Sequence, residues 1–246
     1  MKKTIVLFLI SLFVLQSCTV NSEIIYHKDA ASTSITDIDM RRFLSEVRAV
    51  TPDSLKDKDE YSDLDKYPAV WTNFQELEKK SREVKETNPD YIRIMKKIFM
   101  KANRENDKPT GVSLKTEHFT QDDYATLSNY LKTQKLPVEQ NIFNLWDGKT
   151  LIINTENFNL KNIQEAITSK RNKDNPEKVE GMMMMYFKNI STILKFENKI
   201  KSITGKHDWL KQIDDYNVRI DYDLKALYEI ETPLKKADNN IIIVTE

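Results

Sequence analysis

Residues 142–155 read Ile-Phe-Asn-Leu-Trp-Asp-Gly-Lys-Thr-Leu-Ile-Ile-Asn-Thr, two apolar runs separated by Asp147-Gly148. Asp-Gly accepts the positive φ values of a two-residue type I′ turn, so the stretch predicts a β-hairpin. Weaker hairpin signals lie on both sides of it. Upstream, residues 97–103 and 111–119 flank Asp107-Lys108-Pro109, and Val112, Leu114 and Thr116 alternate with polar neighbours as a half-buried strand does. Residues 23–28, EIIYHK, form a β-branched and aromatic run that Asp29-Ala30-Ala31 turns into a partner at 32–40. Downstream, strands are expected over 190–196, 199–203 and 216–222. The chain closes on 240–246, a run so apolar that it belongs inside a sheet, not at an edge.

Helical patterns interrupt these strands. Met40, Phe43, Leu44, Val47 and Val50 recur at helical spacing up to Thr51-Pro52. Residues 71–86 carry Phe74 and Leu77 in a Glu- and Lys-rich background, and Asn88-Pro89-Asp90 opens a further helix. Thr120 with Asp123 three residues on forms a capping box for a helix through Leu131. Leu160, Ile163 and Ile167 mark another over 159–169, and Asp223 is placed to cap a short one through Tyr228. The expected fold class is α+β: a mainly antiparallel sheet built from hairpins, with four or five interleaved helices.

The amino terminus sets the address. Lys2 and Lys3 precede the uncharged apolar run Thr4–Leu15, and Leu15-Gln16-Ser17-Cys18 follows. A dozen apolar residues suit a signal peptide and fall short of the roughly 20 needed to span a bilayer. Leu15-Gln16-Ser17-Cys18 resembles the lipobox of bacterial lipoproteins, with Gln16 departing from the usual small or apolar residue. The resemblance implies a diacylglyceryl thioether on Cys18, cleavage before it, and acylation of the new amine, palmitate included. Cys18 is the sole cysteine. One acyl chain binds a bilayer marginally and two or three bind it durably. The expected organisation is a signal peptide over 1–17, a lipidated tether over 18–22 and a single α+β domain over 23–246. Thr19-Val20-Asn21-Ser22 lacks an Asp directly after the cysteine. By resemblance to Gram-negative sorting signals, that favours the outer membrane facing the periplasm, and the lone acid Glu23 leaves surface export open.

Composition excludes several classes. The 38 basic and 38 acidic residues balance, and losing 1–17 removes two lysines and no acid. Nucleic-acid binding, which selects clustered Lys and Arg, is not expected. Four glycines in 246 residues leave little room for a glycine-cradled phosphate site. With Cys18 lipidated there is neither a disulfide nor a thiol nucleophile. Tyr26-His27-Lys28-Asp29 with Ser32-Thr33-Ser34, then Asp147-Gly148-Lys149-Thr150-Leu151, and Leu194-Lys195-Phe196 through Ile203-Thr204-Gly205 resemble uncharacterised Gram-negative envelope lipoproteins. That resemblance implies no activity and assigns no site.

No catalytic or cofactor motif stands out. Asp57, Asp59, Asp63 and Asp65 have calcium-loop spacing, but Ser62 and Pro68 occupy the positions that need Gly and Glu. Met182–Met185 would point around a helix instead of converging on a metal. His27, His118 and His207 are far apart in sequence, and none belongs to a ligand pair. Ser113 lacks the second glycine of a nucleophile elbow. Asp221 and Asp223 fall on one side of a strand. Asn189-Ile190-Ser191 and Asp53-Ser54-Leu55 match glycosylation triplets of low specificity. Trp71, Trp146 and Trp209 could form a sugar- or peptide-binding surface, although Trp146, beside a turn, fits the end of a core. The favoured function is a non-catalytic envelope lipoprotein with a binding, assembly or maintenance role and an envelope protein or glycan as partner. The alternatives are a tethered hydrolase using paired carboxylates and a carrier of an apolar ligand. No cofactor or metal is expected.

Overall fold

The computed structural model describes residues 18–42, 44–45, 64, 66–81, 88–134, 145–158, 187–223 and 236–246. Among them are eleven strands and three helices. The strands are β1 (Cys18–Tyr26), β2 (Ser32–Asp39), β3 (Thr72–Asn73), β4 (Ile98–Glu105), β5 (Lys108–Phe119), β6 (Thr150–Asn154), β7 (Phe187–Phe196), β8 (Ile200–Thr204), β9 (Leu210–Gln212), β10 (Asn217–Asp221) and β11 (Asn240–Thr245). The helices are α1 (Phe74–Ser81), α2 (Pro89–Lys97) and α3 (Gln121–Gln134).

Eight strands form one sheet in the order β3-β4-β5-β2-β1-β7-β10-β9, and three form a second in the order β6-β11-β8. The large sheet is mixed, because β1 and β7 run parallel at its centre. This overturns the α+β expectation of hairpin-built antiparallel pairing with four or five helices: the described chain is mostly β. The physical reason is that periodicity marks a strand without marking its partner. A parallel pair formed across some 160 residues of chain has no turn to announce it. Two of the expected helices, over 159–169 and 224–228, lie outside the described residues, as do Met182–Met185, Asp53-Ser54-Leu55, and Asp57, Asp59, Asp63 and Asp65.

Local chemistry explains the elements that were legible. Asn88 caps α2, its Oδ1 accepting from the Asp90 amide at 2.9 Å, with Pro89 in the first turn where its missing N–H costs nothing. The capping box of α3 is complete: the Asp123 amide donates to Thr120 Oγ1 at 3.2 Å, and the Thr120 amide donates to Asp123 Oδ2 at 3.1 Å. The left-handed two-residue turn sits elsewhere than expected. It is Asn106–Asp107, with φ of 50° and 62°, joining β4 to β5. At Asp147-Gly148 the loop is displaced by one residue, because the Asp147 amide donates to the Thr150 carbonyl at 3.2 Å and leaves Gly148-Lys149 at the tip. Trp146 bridges Leu151, and Asp147 Oδ1 accepts from the amides of Lys149 (2.9 Å) and Thr150 (2.6 Å). Only Gly148 takes a positive φ there, at 95°. The carboxylate, binding the backbone two and three residues on, shapes this turn.

The main core lies between the two sheets. Tyr26, Leu194, Phe196, Val218 and Ile220 of the large sheet pack against Leu151, Ile153, Ile200, Ile241 and Ile243 of the small one. β11 is central in its sheet, which agrees with its apolar run. A second core joins the helices to β4 and β5 through Tyr91, Ile94, Met95, Ile98, Phe119 and Leu127. Trp146 is inside the main core, tilted against Tyr26 at 5.3 Å and Phe196 at 5.6 Å between ring centroids.

Candidate functional site: a histidine–carboxylate cluster

Three pairings bring distant residues to one end of the large sheet. In the parallel pair, Tyr26 lies opposite Phe196, so the next residues of each strand, His27 and Glu197, emerge side by side. The β1–β2 hairpin places Thr33 opposite Ile25 and hence beside His27. Between β2 and β5 the register shifts: Ser32 pairs with Phe119 and Ser34 with Thr116. Glu117 and His118 therefore share the space opposite Thr33 as a β-bulge, and His118 adopts φ of 50°. A left-handed histidine costs on the order of 1–3 kcal/mol and re-aims its ring towards His27.

The rings of His27 and His118 stand 5.3 Å apart between centroids. His27 Nδ1 lies 2.8 Å from Glu197 Oε1, and its Nε2 lies 2.9 Å from Thr33 Oγ1. Glu197 Oε2 accepts from the Lys28 amide at 2.9 Å. His118 Nε2 lies 2.8 Å from Asp29 Oδ2, while Asp29 Oδ1 accepts from the Ala31 amide at 3.2 Å. The His118 amide donates to Thr33 Oγ1 at 3.1 Å. The hydrogen bond from His27, then that from the Lys28 amide, hold the Glu197 carboxyl below its ordinary range. The Ala31 amide, with the neighbouring His118, does the same for Asp29. Both acids are thus set to remain anionic acceptors facing an imidazole.

Two buttresses hold the cluster. Trp146 Nε1 donates to the His27 carbonyl at 2.7 Å, and Gln121 Nε2 donates to the Trp146 carbonyl at 2.9 Å. A Cβ on Gly148 would sit 2.7 Å from the Lys28 carbonyl oxygen, so only glycine lets the loop close on the hairpin. On the other side, Lys97 Nζ donates to the His118 carbonyl at 2.9 Å and to Asp123 Oδ2 at 2.6 Å. Asp123 is 1% exposed and also takes Arg93 Nη1. Burial alone would raise its carboxyl, but hydrogen bonds from Lys97, the Thr120 amide and Arg93 outweigh that and hold it below the usual range.

The other sequence candidates scatter. His207 is buried between Phe158 and Trp209, at 5.0 and 4.9 Å between ring centroids. Ser113 is fully buried, bonded to Asn103 and Asp37. Asp221 pairs with Arg219 at 2.7 Å, and Asp223 is exposed beyond the end of β10. Ile190 and Ser191 of the Asn189 triplet are buried in β7. Trp146 and Trp209 are buried, so they offer no surface. Trp71 is half-buried with Lys101 Nζ 4.9 Å from its ring centroid. Cys18 is the first residue of β1 and 4% exposed. The three histidines lie far apart in sequence, and nothing in residue type marks Thr33 or Glu197 as partners of His27. Only the His27–Thr33 spacing across a hairpin offered a signal. Among the described residues no three His, Cys, Asp or Glu side chains converge to hold a metal ion.

No family model and no curated protein matches the chain. Among solved structures, it is similar to the NMR structure of the folded domain of the Mycobacterium tuberculosis LppM protein. The identity is 11% and the TM-score 0.36, with 94% of this chain and 92% of that chain covered. A TM-score of that size does not establish a shared fold.

Proposed function

We propose that the chain is a lipid-anchored bacterial envelope protein, held through Cys18 at the outer membrane and facing the periplasm, with a binding, assembly or maintenance role and an envelope protein or glycan as partner. The observation that carries this reading is the amino-terminal Lys2-Lys3, apolar run and Leu15-Gln16-Ser17-Cys18, with the sole cysteine at its end. β1 starts at that cysteine and is paired on both sides, with β2 from Thr19 onward and with β7 from Cys18 itself. A lipid there would leave no slack between bilayer and sheet.

The other two readings find less support. The cluster's acids, Asp29 and Glu197, each face an imidazole and not another carboxyl, which is not the arrangement of a paired-acid hydrolase. The cleft lined by Arg41, Ser45, Glu105, Asn106, Lys108, Pro109 and Thr110 holds about 230 Å³, which is below the roughly 300 Å³ or more of a pocket that encloses an apolar cargo. Mass spectrometry of the mature amino terminus tests the proposal. A diacylglyceryl thioether and an amide-linked acyl chain on Cys18 are expected, and Cys18→Ser should release the protein from the membrane fraction. A mature chain with an unmodified thiol overturns the reading.

A further inference from the structure

We infer that Thr33, His27 and Glu197 form an acyl-transfer relay, with Thr33 Oγ1 as nucleophile towards a carboxylic ester. The hydrogen-bond directions carry it. A carboxylate only accepts, so the contact with Glu197 Oε1 places the His27 proton on Nδ1. In its neutral form the ring then offers Nε2 as an acceptor, and the atom facing it at 2.9 Å is the Thr33 hydroxyl, which donates to that form. Thr33 Oγ1 uses one lone pair on the His118 amide and keeps the other for attack. Nucleophile, base and orienting acid thus stand within hydrogen-bond reach in the required order. Glu197 is itself fixed through its second oxygen by the Lys28 amide.

The step balances without a co-reactant beyond water. Thr33 Oγ1 bonds to the acyl carbon as its proton passes to His27 Nε2, and the imidazolium is held by Glu197. The adduct collapses, the ester's C–O bond breaks, and the leaving alcohol takes the proton from His27. Water then attacks the Thr33 acyl ester, giving its proton to His27. Thr33 leaves with that proton restored, and a carboxylic acid is released. The bulge at His118 supports this role, because its left-handed backbone is what aims an amide at Thr33 Oγ1. The acids at the site are 41% and 57% exposed, and His118 is 52% exposed. So open a site fits an ester carried on a large molecule, such as an acylated polymer, better than an enclosed small one.

The inference stands apart from the lipid anchor and fails separately from it. The test incubates the full chain, in detergent, with p-nitrophenyl acetate, following p-nitrophenolate release and the mass of the peptide containing Thr33. An acetyl group on Thr33 is expected, together with hydrolysis that falls roughly 10²-fold or more in His27→Gln. Thr33→Ser, which keeps the hydroxyl, should still be acetylated at residue 33, and Glu197→Gln should slow acetylation while the far-ultraviolet spectrum stays unchanged. Three results overturn it: no acetyl group on Thr33, Thr33→Ala hydrolysing at the wild-type rate, or a folded Thr33→Ser that acquires none. The second of these would mean that an imidazole acts alone.

Discussion

The indole Nε1 of Trp146 donates to the carbonyl oxygen of His27 at 2.7 Å, across 119 positions of sequence. This single bond ties the loop at Asp147-Gly148 to the hairpin that bears the cluster. The ring that makes it is also a core residue, 3% exposed and packed on Tyr26 and Phe196. Core and cluster therefore share a side chain.

Trp146→Phe keeps an aromatic ring but removes the donor, leaving the His27 carbonyl without this partner. The expected loss of stability is about 1–3 kcal/mol. Urea denaturation should show a lower midpoint with an unchanged slope. A midpoint equal to wild type would mean that the bond contributes nothing.

Gly148→Ala should be worse than its size suggests. The φ of 95° disfavours a side chain, and the new Cβ would meet the Lys28 carbonyl oxygen. A loss of about 2 kcal/mol or more is expected from backbone strain and contact together. Thermal unfolding reads it directly, and substitution of the neighbouring exposed Lys149 by Ala provides the comparison.

Asp123 makes the protein acid-sensitive. Its folded carboxyl is lowered relative to the unfolded chain, so its contribution is full above the ordinary carboxylate range and is lost as pH falls through the folded value. Asp123→Asn removes the negative charge that Lys97 and Arg93 share, and because both cations are partly exposed the expected cost at neutral pH is about 1–2 kcal/mol. The variant should also lose part of the wild type's decline in stability below about pH 4. Parallel denaturation curves at pH 7 and pH 3 would test both statements. An unchanged difference between the two pH values contradicts the assignment.

His207 acts in a higher window. Burial lowers its pKa, and Nδ1 accepts from the Trp209 amide at 3.3 Å, so the folded protein holds the ring neutral. Unfolding frees it to protonate at its ordinary value near 6.5. Stability should therefore begin to fall as pH drops through about 6.5 and level off once pH lies below the lowered folded value. His207→Gln should flatten the curve across that interval. A wild-type curve already flat between pH 7 and pH 5 would contradict this.

Much of the architecture was legible where the cause is local. The caps at Asn88 and Thr120, the β4–β5 hairpin and the apolar run of β11 depend on neighbours in sequence, and each appears in the structure. Asp147-Gly148 misled in type: the side chain of Asp147 captures two amides, and this capture decides the loop. The Asn106–Asp107 turn takes the conformation that had been expected there. The parallel seam between β1 and β7 was illegible, and with it the site. Glu197 meets His27 only because Tyr26 and Phe196 are in register, and His118 joins them only through a bulge. Neither a register between distant strands nor an inserted residue leaves a mark in residue type.

β1 runs unbroken for nine residues from Cys18 to Tyr26, which at about 3.3 Å per residue is roughly 30 Å. Were acyl chains fixed at its first residue, the strand would act as a rigid mast of set height, carrying the imidazole pair clear of the lipid headgroups. Its reach into the surrounding space would then be dictated by strand length alone, and any target would have to come to that height to be met.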